Sequence, residues 1–321
     1  MRAIIFDSEI CVVSNFAKPE RKAGWSLIRL IKGGICNTDL EILKGYMNFK
    51  GVMGHEFIGE VVESDKVELI GKRIVGEINA ACGICTTCLV GLGRFCPNRS
   101  VLGIQSLNGC FSDFFVLPDR NIHIVAPEIS DNQAVFIEPL AAAYEVTEQI
   151  IPQECFKCVV LGDGKLGVLC AWVLSTFCAD VTIVGKHSEK LQKAFWNGIK
   201  TVNLSESMPS DCDLTVEATG TIGGLQNALE ITKPRGVVAL KSTVAGMEKI
   251  NLSLAVVKEI SIIGSRCGPF YKALQGMKAH HFPVERLVDG EYKIEEGIKA
   301  FQKARERGVA KILLNNCAKE L

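Results

Sequence analysis

Four cysteines, Cys82-x2-Cys85-x2-Cys88-x7-Cys96, fall in one short stretch that is rich in glycine (Gly83, Gly91, Gly93) and closed by Pro97. Four thiolates at that spacing suit tetrahedral zinc with every position taken by the protein, a structural site that cannot bind substrate. The chain has 14 cysteines in 321 residues, so disulfides compete with metal for the reading. The N-terminal MRAIIFDSEI carries Asp7 and Glu9 where a secretory signal needs a basic start and a longer apolar stretch, and no apolar run approaches the ~20 residues of a membrane span. A cytoplasmic location is therefore expected, where thiols stay reduced and the metal reading gains.

A second set of reactive types is dispersed: Gly34-Ile35-Cys36-Asn37-Thr38-Asp39, Gly54-His55-Glu56-Phe57-Ile58-Gly59 and Phe136-Ile137-Glu138-Pro139-Leu140. Cys, His, Glu and Glu make a mixed S/N/O set, which leaves room for water or substrate, as a catalytic zinc requires. The residues alone leave a plainer reading open, with Cys36 a core thiol, His55 a satisfied buried histidine and Glu138 a capping acid near Pro139.

The third feature is Gly162-Asp163-Gly164-Lys165-Leu166-Gly167, a G-x-G-x-x-G turn after an apolar strand and at the head of a helix. The first glycine permits the tight turn, the second lets backbone approach a pyrophosphate, and the third lets helix pack on strand. The end of the next strand normally selects the cofactor, because a carboxylate there binds the ribose of NAD and repels the extra phosphate of NADP. Here that position is Gly185, followed by Lys186, His187 and Ser188. A cation and hydrogen-bond donors at that place favour NADP(H) over NAD(H).

These motifs need two kinds of scaffold. From Ile4 to about Phe115 the sequence reads as short β runs broken by glycine (Ala3–Phe6, Ile10–Val13, 26–31, 58–63, 73–78 and 111–116), an antiparallel, barrel-like pattern. From Cys158 onward strands and helices alternate: strands at 158–162, 181–185, 214–217, 237–240 and 260–264, and helices at 165–178, 189–197 and 222–232. That rhythm predicts a doubly wound parallel sheet. An amphipathic helix over 294–305 then leads into an apolar strand at 311–314. Lys+Arg and Asp+Glu both number 36, giving zero net charge, and 48% of residues are hydrophobic. Such a chain buries real cores, and it lacks the basic footprint that nucleic acid demands, so a small neutral or weakly charged substrate is expected.

GICNTD, GHEFIGE, the four-cysteine loop, EPLAAA and the glycine turn occur together in the order found in the zinc-dependent medium-chain dehydrogenase/reductase family, the alcohol and polyol dehydrogenases, which the whole chain resembles. The resemblance implies an α/β protein with a GroES-like β-rich catalytic domain (1–138 and 268–321) carrying both zincs, and a Rossmann domain (139–267) inserted in it. By the same resemblance Cys36 and His55 are catalytic zinc ligands, Asp39 holds the His55 ring, Thr38 passes the substrate's proton, and Glu56 or Glu138 completes the set. Thr219 in Ala218-Thr219-Gly220, and Arg266, stand where relatives meet the cofactor, beside Gly162, Gly164, Lys165, Leu166, Gly167, Gly185, Lys186 and Ser188. A domain-joining salt bridge is the competing role for Arg266.

Departures from the family pattern are Glu41, where a histidine often ends the proton relay, Asn37 in place of a basic residue, and a short segment between Cys96 and Gly109. Cys155-Phe156-Lys157-Cys158 resembles a redox pair but runs into a strand, so two free thiols are expected. Cys170, Cys178 and Cys212 read as small core residues. The expected protein is thus a zinc enzyme that moves hydride between NAD(P) and an alcohol or polyol, with Glu138 tilting the substrate toward polyols, assembled as a homodimer or homotetramer without nucleic-acid or membrane partners. The alternative is a family-fold protein that is not catalytic, or a reductase working without the catalytic metal.

Overall fold

In a computed structural model, which describes residues 1–243 and 250–316, the chain divides into two compact units. Unit 1 comprises Met1–Glu138, Met277–Ala279 and Val288–Leu321, and unit 2 comprises Pro139–Gly276 and His280–Leu287.

Unit 1 is built on a seven-stranded sheet in the order Ile122–Ile124, Arg73–Gly76, Glu56–Glu63, Trp25–Gly34, Lys311–Asn315 and Val288–Lys293, with Phe114–Pro118 also paired to Trp25–Gly34. Most pairings are antiparallel, as the glycine-broken pattern led us to expect. Val288–Lys293 and Lys311–Asn315 instead run parallel, joined by the helix Gly297–Ala304, because a parallel pair needs a crossover that a helix supplies. The segment 288–293 carries polar residues that hide a strand from sequence periodicity.

The register of this sheet assembles the chemistry. Trp25–Gly34 and Glu56–Glu63 pair antiparallel with Gly34 opposite Glu56, and Leu313 of the closing strand lies on the other side of Gly34. The chain leaving one strand at Cys36 and the chain entering the next at His55 therefore meet at the same sheet end. Gly34 is needed there, since a Cβ on it would lie 2.6 Å from Val135 Cγ1 and 3.0 Å from Glu56 Oε2.

Unit 2 is a six-stranded, all-parallel sheet ordered Lys200–Asn203, Asp180–Gly185, Lys157–Leu161, Cys212–Glu217, Thr232–Leu240 and Ser261–Gly264. Ranked along the chain this is 3-2-1-4-5-6, the doubly wound order with its switch between the first and fourth strands. The helix Lys165–Leu174 is buried along nearly its whole length, so it reads as apolar all round rather than amphipathic. Val159, Leu161, Leu229 and Val238 are among the residues that form the core beneath the sheet, and each such side chain contributes roughly 1.5–3 kcal/mol on burial. Lys200–Asn203 escapes sequence detection because it is a largely exposed, polar edge strand. No helix of the described residues is long and apolar enough to cross a membrane.

Candidate functional site

The four-cysteine loop closes on itself. The Sγ atoms of Cys85 and Cys88 lie 3.5 Å apart, those of Cys82 and Cys96 3.5 Å, those of Cys85 and Cys96 3.7 Å and those of Cys82 and Cys88 3.9 Å. A zinc tetrahedron with bonds of about 2.3 Å has sulfur–sulfur edges of about 3.8 Å, so the donor set has the dimensions of that ion. Backbone N–H groups of Ile84 and Cys85, then Cys96, push the Cys82 thiol down to about 6, toward the thiolate that ligation needs. The short helix Thr86–Leu89, with Cys85 at its N-terminal cap, orients the middle two cysteines.

Cys36, His55 and Glu56 form the second cluster, with one donor atom of each within 4.8 Å of the others. Cys36 caps the helix Asn37–Ile42, and the Asp39 carboxylate reaches back to accept from the Cys36 N–H at 2.8 Å. The other Asp39 oxygen, Oδ1, lies 3.3 Å from His55 Nδ1. Both atoms are buried and aligned too poorly for a hydrogen bond. Burial lowers the affinity of the His55 imidazole for its proton, yet Asp39 and then Cys36 outweigh it and hold the pKa well above the ordinary value. An imidazole so oriented by a carboxylate keeps its other nitrogen for a ligand. Thr38 Oγ1 is 3.8 Å from Cys36 Sγ.

Lys311 completes this environment. Its Nζ is ion-paired with Glu56 Oε2, both side chains being fully buried, and it stands 5.4 Å from the centre of the Phe136 ring. Burial pulls the Lys311 ammonium down to about 8, against the upward pull of Cys36 and Asp39. Glu138, in the first turn of the helix Ile137–Gln149, is outside the cluster gathered among the described residues.

In unit 2 a cavity of about 420 Å³ opens at the carboxyl ends of the central strands. Of the expected cofactor residues, Gly162, Gly164, Gly185, Lys186 and Thr219 line it, whereas Lys165, Leu166, Gly167, Ser188 and Arg266 do not. Gly162 adopts a left-handed φ of +117° against the backbone of Ala218, 2.5 Å from where a Cβ would stand. Gly164 precedes the helix Lys165–Leu174 without any side-chain cap, and a Cβ there would meet nothing within 4 Å. The first amides of that helix are thus open to an anion. Gly167 instead packs the helix on the strand, because a Cβ would lie 2.0 Å from Gly162 O. Ser188 begins the helix Ser188–Ala194, where Asn203 Nδ2 donates to its Oγ at 3.4 Å. Arg266 O accepts from Lys241 Nζ at 2.9 Å.

Asp163, Lys190, Thr221 and Asn227 also line this cavity and were missed. Asp163 sits at a variable position of the glycine motif, and the others lie far from it in sequence.

Residues 22–127 match the model of the alcohol dehydrogenase GroES-like domain. An L-threonine 3-dehydrogenase of Protochlamydia amoebophila is 28% identical over 300 residues, which is 82% of this chain and 86% of that protein. A short-chain alcohol dehydrogenase of Escherichia coli solved with cofactor NADH superposes with a TM-score of 0.89 at 24% identity, over 98% of this chain and 99% of the other. Over most of its length the chain is thus similar to zinc-dependent medium-chain dehydrogenases, and residues 22–127 form a GroES-like domain of the alcohol dehydrogenase type. A zinc-binding dehydrogenase of Sinorhizobium meliloti bound to NADP also superposes, with a TM-score of 0.89 at 22% identity, over 98% of each chain. The GroES-like domain match covers Cys36, His55, Glu56 and the four-cysteine loop, while the glycine turn and its cavity lie in the parallel-sheet unit.

The other cysteines carry no ligand geometry among the described residues. Cys158 and Cys178 face each other at 3.4 Å as free, buried thiols, Cys170 and Cys212 are buried, and Cys155 is an exposed free thiol. Cys317 lies outside the described residues.

Proposed function

We propose that this protein is a zinc-dependent oxidoreductase that moves a hydride between NAD(P) and an alcohol or polyol, or returns it to the matching aldehyde or ketone. The convergence of Cys36, His55 and Glu56 at one sheet end, with Asp39 behind the imidazole, is the observation that carries this reading. Cys36 and His55 would hold the catalytic zinc with Glu56 or Glu138, and Cys82, Cys85, Cys88 and Cys96 the structural one. When bound, the catalytic zinc supplies a Lewis acid that lowers a hydroxyl's pKa, and the nicotinamide supplies the hydride acceptor.

The chain's own residues do the rest. Asp39 holds the Cys36 backbone by a hydrogen bond and sets a negative charge against the His55 ring. Thr38 takes the substrate's hydroxyl proton at Oγ1 and passes it onward. Lys311 neutralises Glu56, so ligation by Glu56 has to share a carboxylate already engaged at Oε2. The amides at the head of Lys165–Leu174 receive the pyrophosphate, and Thr219 lies on the wall of the cofactor cavity.

Both cofactor forms fit the chemistry of the cavity, and Lys186 with Lys190 on its wall favours NADP(H) over NAD(H). A polyol substrate is favoured by a glutamate, Glu56 or Glu138, in place of a third cysteine or histidine in the donor set. The unpaired edge of Ser261–Gly264 among the described residues, together with exposed Val256, Val257 and Ile262, supports assembly as a homodimer or homotetramer, and we place the protein in the cytoplasm.

A panel of polyols, simple alcohols and aldehydes assayed with NADP(H) and NAD(H) tests this reading. Turnover that needs zinc and is fastest on a polyol is expected. Turnover undiminished after complete zinc removal would overturn the catalytic-metal role and leave a reductase of another kind.

A further inference from the structure

We propose that Asp163, a residue of the glycine turn, reads the adenosine ribose and sets the ratio between NAD(H) and NADP(H), in place of a carboxylate at the end of the neighbouring strand. This deepens, and rests on, the reading of the unit 2 cavity as a dinucleotide pocket. The end of Asp180–Gly185 bears no side chain, and the space above it is filled from elsewhere. A Cβ built on Gly185 would lie 2.4 Å from Asp163 Cβ and 2.5 Å from Asp163 Oδ2. Gly185 therefore makes room for a carboxylate delivered by the adjacent turn.

That carboxylate is fixed rather than loose. Asp163 Oδ2 accepts from the backbone N–H groups of Lys186 and His187, each at 2.7 Å. His187 Nδ1 lies 2.9 Å from Oδ2 and 3.1 Å from Oδ1. The side chain is about nine-tenths buried, with a relative exposure of 10%, yet the residue lines the cavity together with Gly185, Lys186, His187 and Lys190. Oδ2 is saturated by three donors, whereas Oδ1 keeps acceptor capacity beyond its single long contact.

A carboxylate oxygen held in that way accepts a hydrogen bond from a ribose 2′-hydroxyl and repels a 2′-phosphate. Lys186 and Lys190 act in the opposite sense, as cations that attract the phosphate. The pocket thus sets one fixed anion against two flexible cations, and the preference for NADP(H) stays moderate because Asp163 limits it. Gly185, taken in the sequence with Lys186, His187 and Ser188 to favour NADP(H), is also the opening through which the Asp163 carboxylate enters.

The test uses the full-length protein and calorimetric titration with 5′-AMP, 2′,5′-ADP, NADH and NADPH. Asp163→Asn keeps an acceptor for the two amides and removes the charge. It is expected to raise the affinity for 2′,5′-ADP relative to 5′-AMP by about tenfold. Gly185→Ala crowds the same side chain out of its place while leaving its charge intact and is expected to shift the ratio in the same direction, so the test survives if Asp163→Asn fails to fold. Lys186→Ala is expected to shift it the other way. An unchanged ratio in a folded Asp163→Asn or in Gly185→Ala, or a shift toward 5′-AMP, overturns the role of Asp163 while wild-type binding leaves the pocket intact. Wild-type protein that binds none of the four compounds overturns the pocket itself, and the proposal with it.

Discussion

The four-cysteine loop draws every donor from one short stretch, with three of its four cysteines only partly buried, whereas Cys36, His55 and Glu56 come from two segments joined by strand pairing, with His55 and Glu56 buried. The loop is preset by local backbone: glycines, a four-residue helix and the amides that lower Cys82. The second cluster is preset at long range, by Asp39 behind His55 and by Lys311 beside Glu56, 255 residues away in sequence. The all-thiolate and the mixed S/N/O set would therefore serve different ends. A closed, locally built set suits a structural ion, and a buried set with accessory charges suits an ion that must change partners.

If that contrast is right, the two sites fail independently. The largest effect is expected from Lys311→Met, which strips the buried Glu56 carboxylate of its counter-ion. Breaking such a pair costs about 3–5 kcal/mol, to be read as a lowered midpoint in chemical denaturation, with the loop still binding its zinc. Adding Glu56→Gln should recover part of that loss, because no uncompensated charge then remains. Equal midpoints for wild type and Lys311→Met would show that the ion pair does not support the fold.

A smaller and more selective effect is expected from Asp39→Asn, which removes the charge facing His55 while leaving an acceptor for the Cys36 amide. Zinc affinity at Cys36 and His55 should fall by about 10–100-fold, measured by chelator competition. The loop's zinc should be released at the same chelator concentration as in wild type. Parallel weakening at both sites would show that they are one cooperative unit.

Much of this is legible in the sequence. The strand–helix rhythm after Cys158 corresponds to five strands of the parallel sheet and its helices, because the inner parallel strands are apolar runs that few other elements imitate, and the exposed edge strand Ser261–Gly264 still shows through Ile262 and Ile263. The edge strand Lys200–Asn203 and the strand Val288–Lys293 were not legible, since exposed, polar strands owe their form to a neighbour's free edge. Cys36, His55 and Glu56 could be picked out by type, but not the partner of Glu56. Lys311 reads only as the first residue of an apolar strand until the sheet closes on Gly34. Asp163 was hidden in another way. It stands inside the best-known motif of the chain, at a position the motif leaves free, and its contact with the end of the next strand is a tertiary fact.

Counting zinc per chain by elemental analysis in wild type, Cys36→Ser and Cys85→Ser reaches the central claim most directly. Wild type should hold two zincs and each variant one, with oxidoreductase turnover abolished in Cys36→Ser although its loop zinc remains. A wild-type content of one zinc that Cys36→Ser leaves in place, with turnover intact, would contradict it.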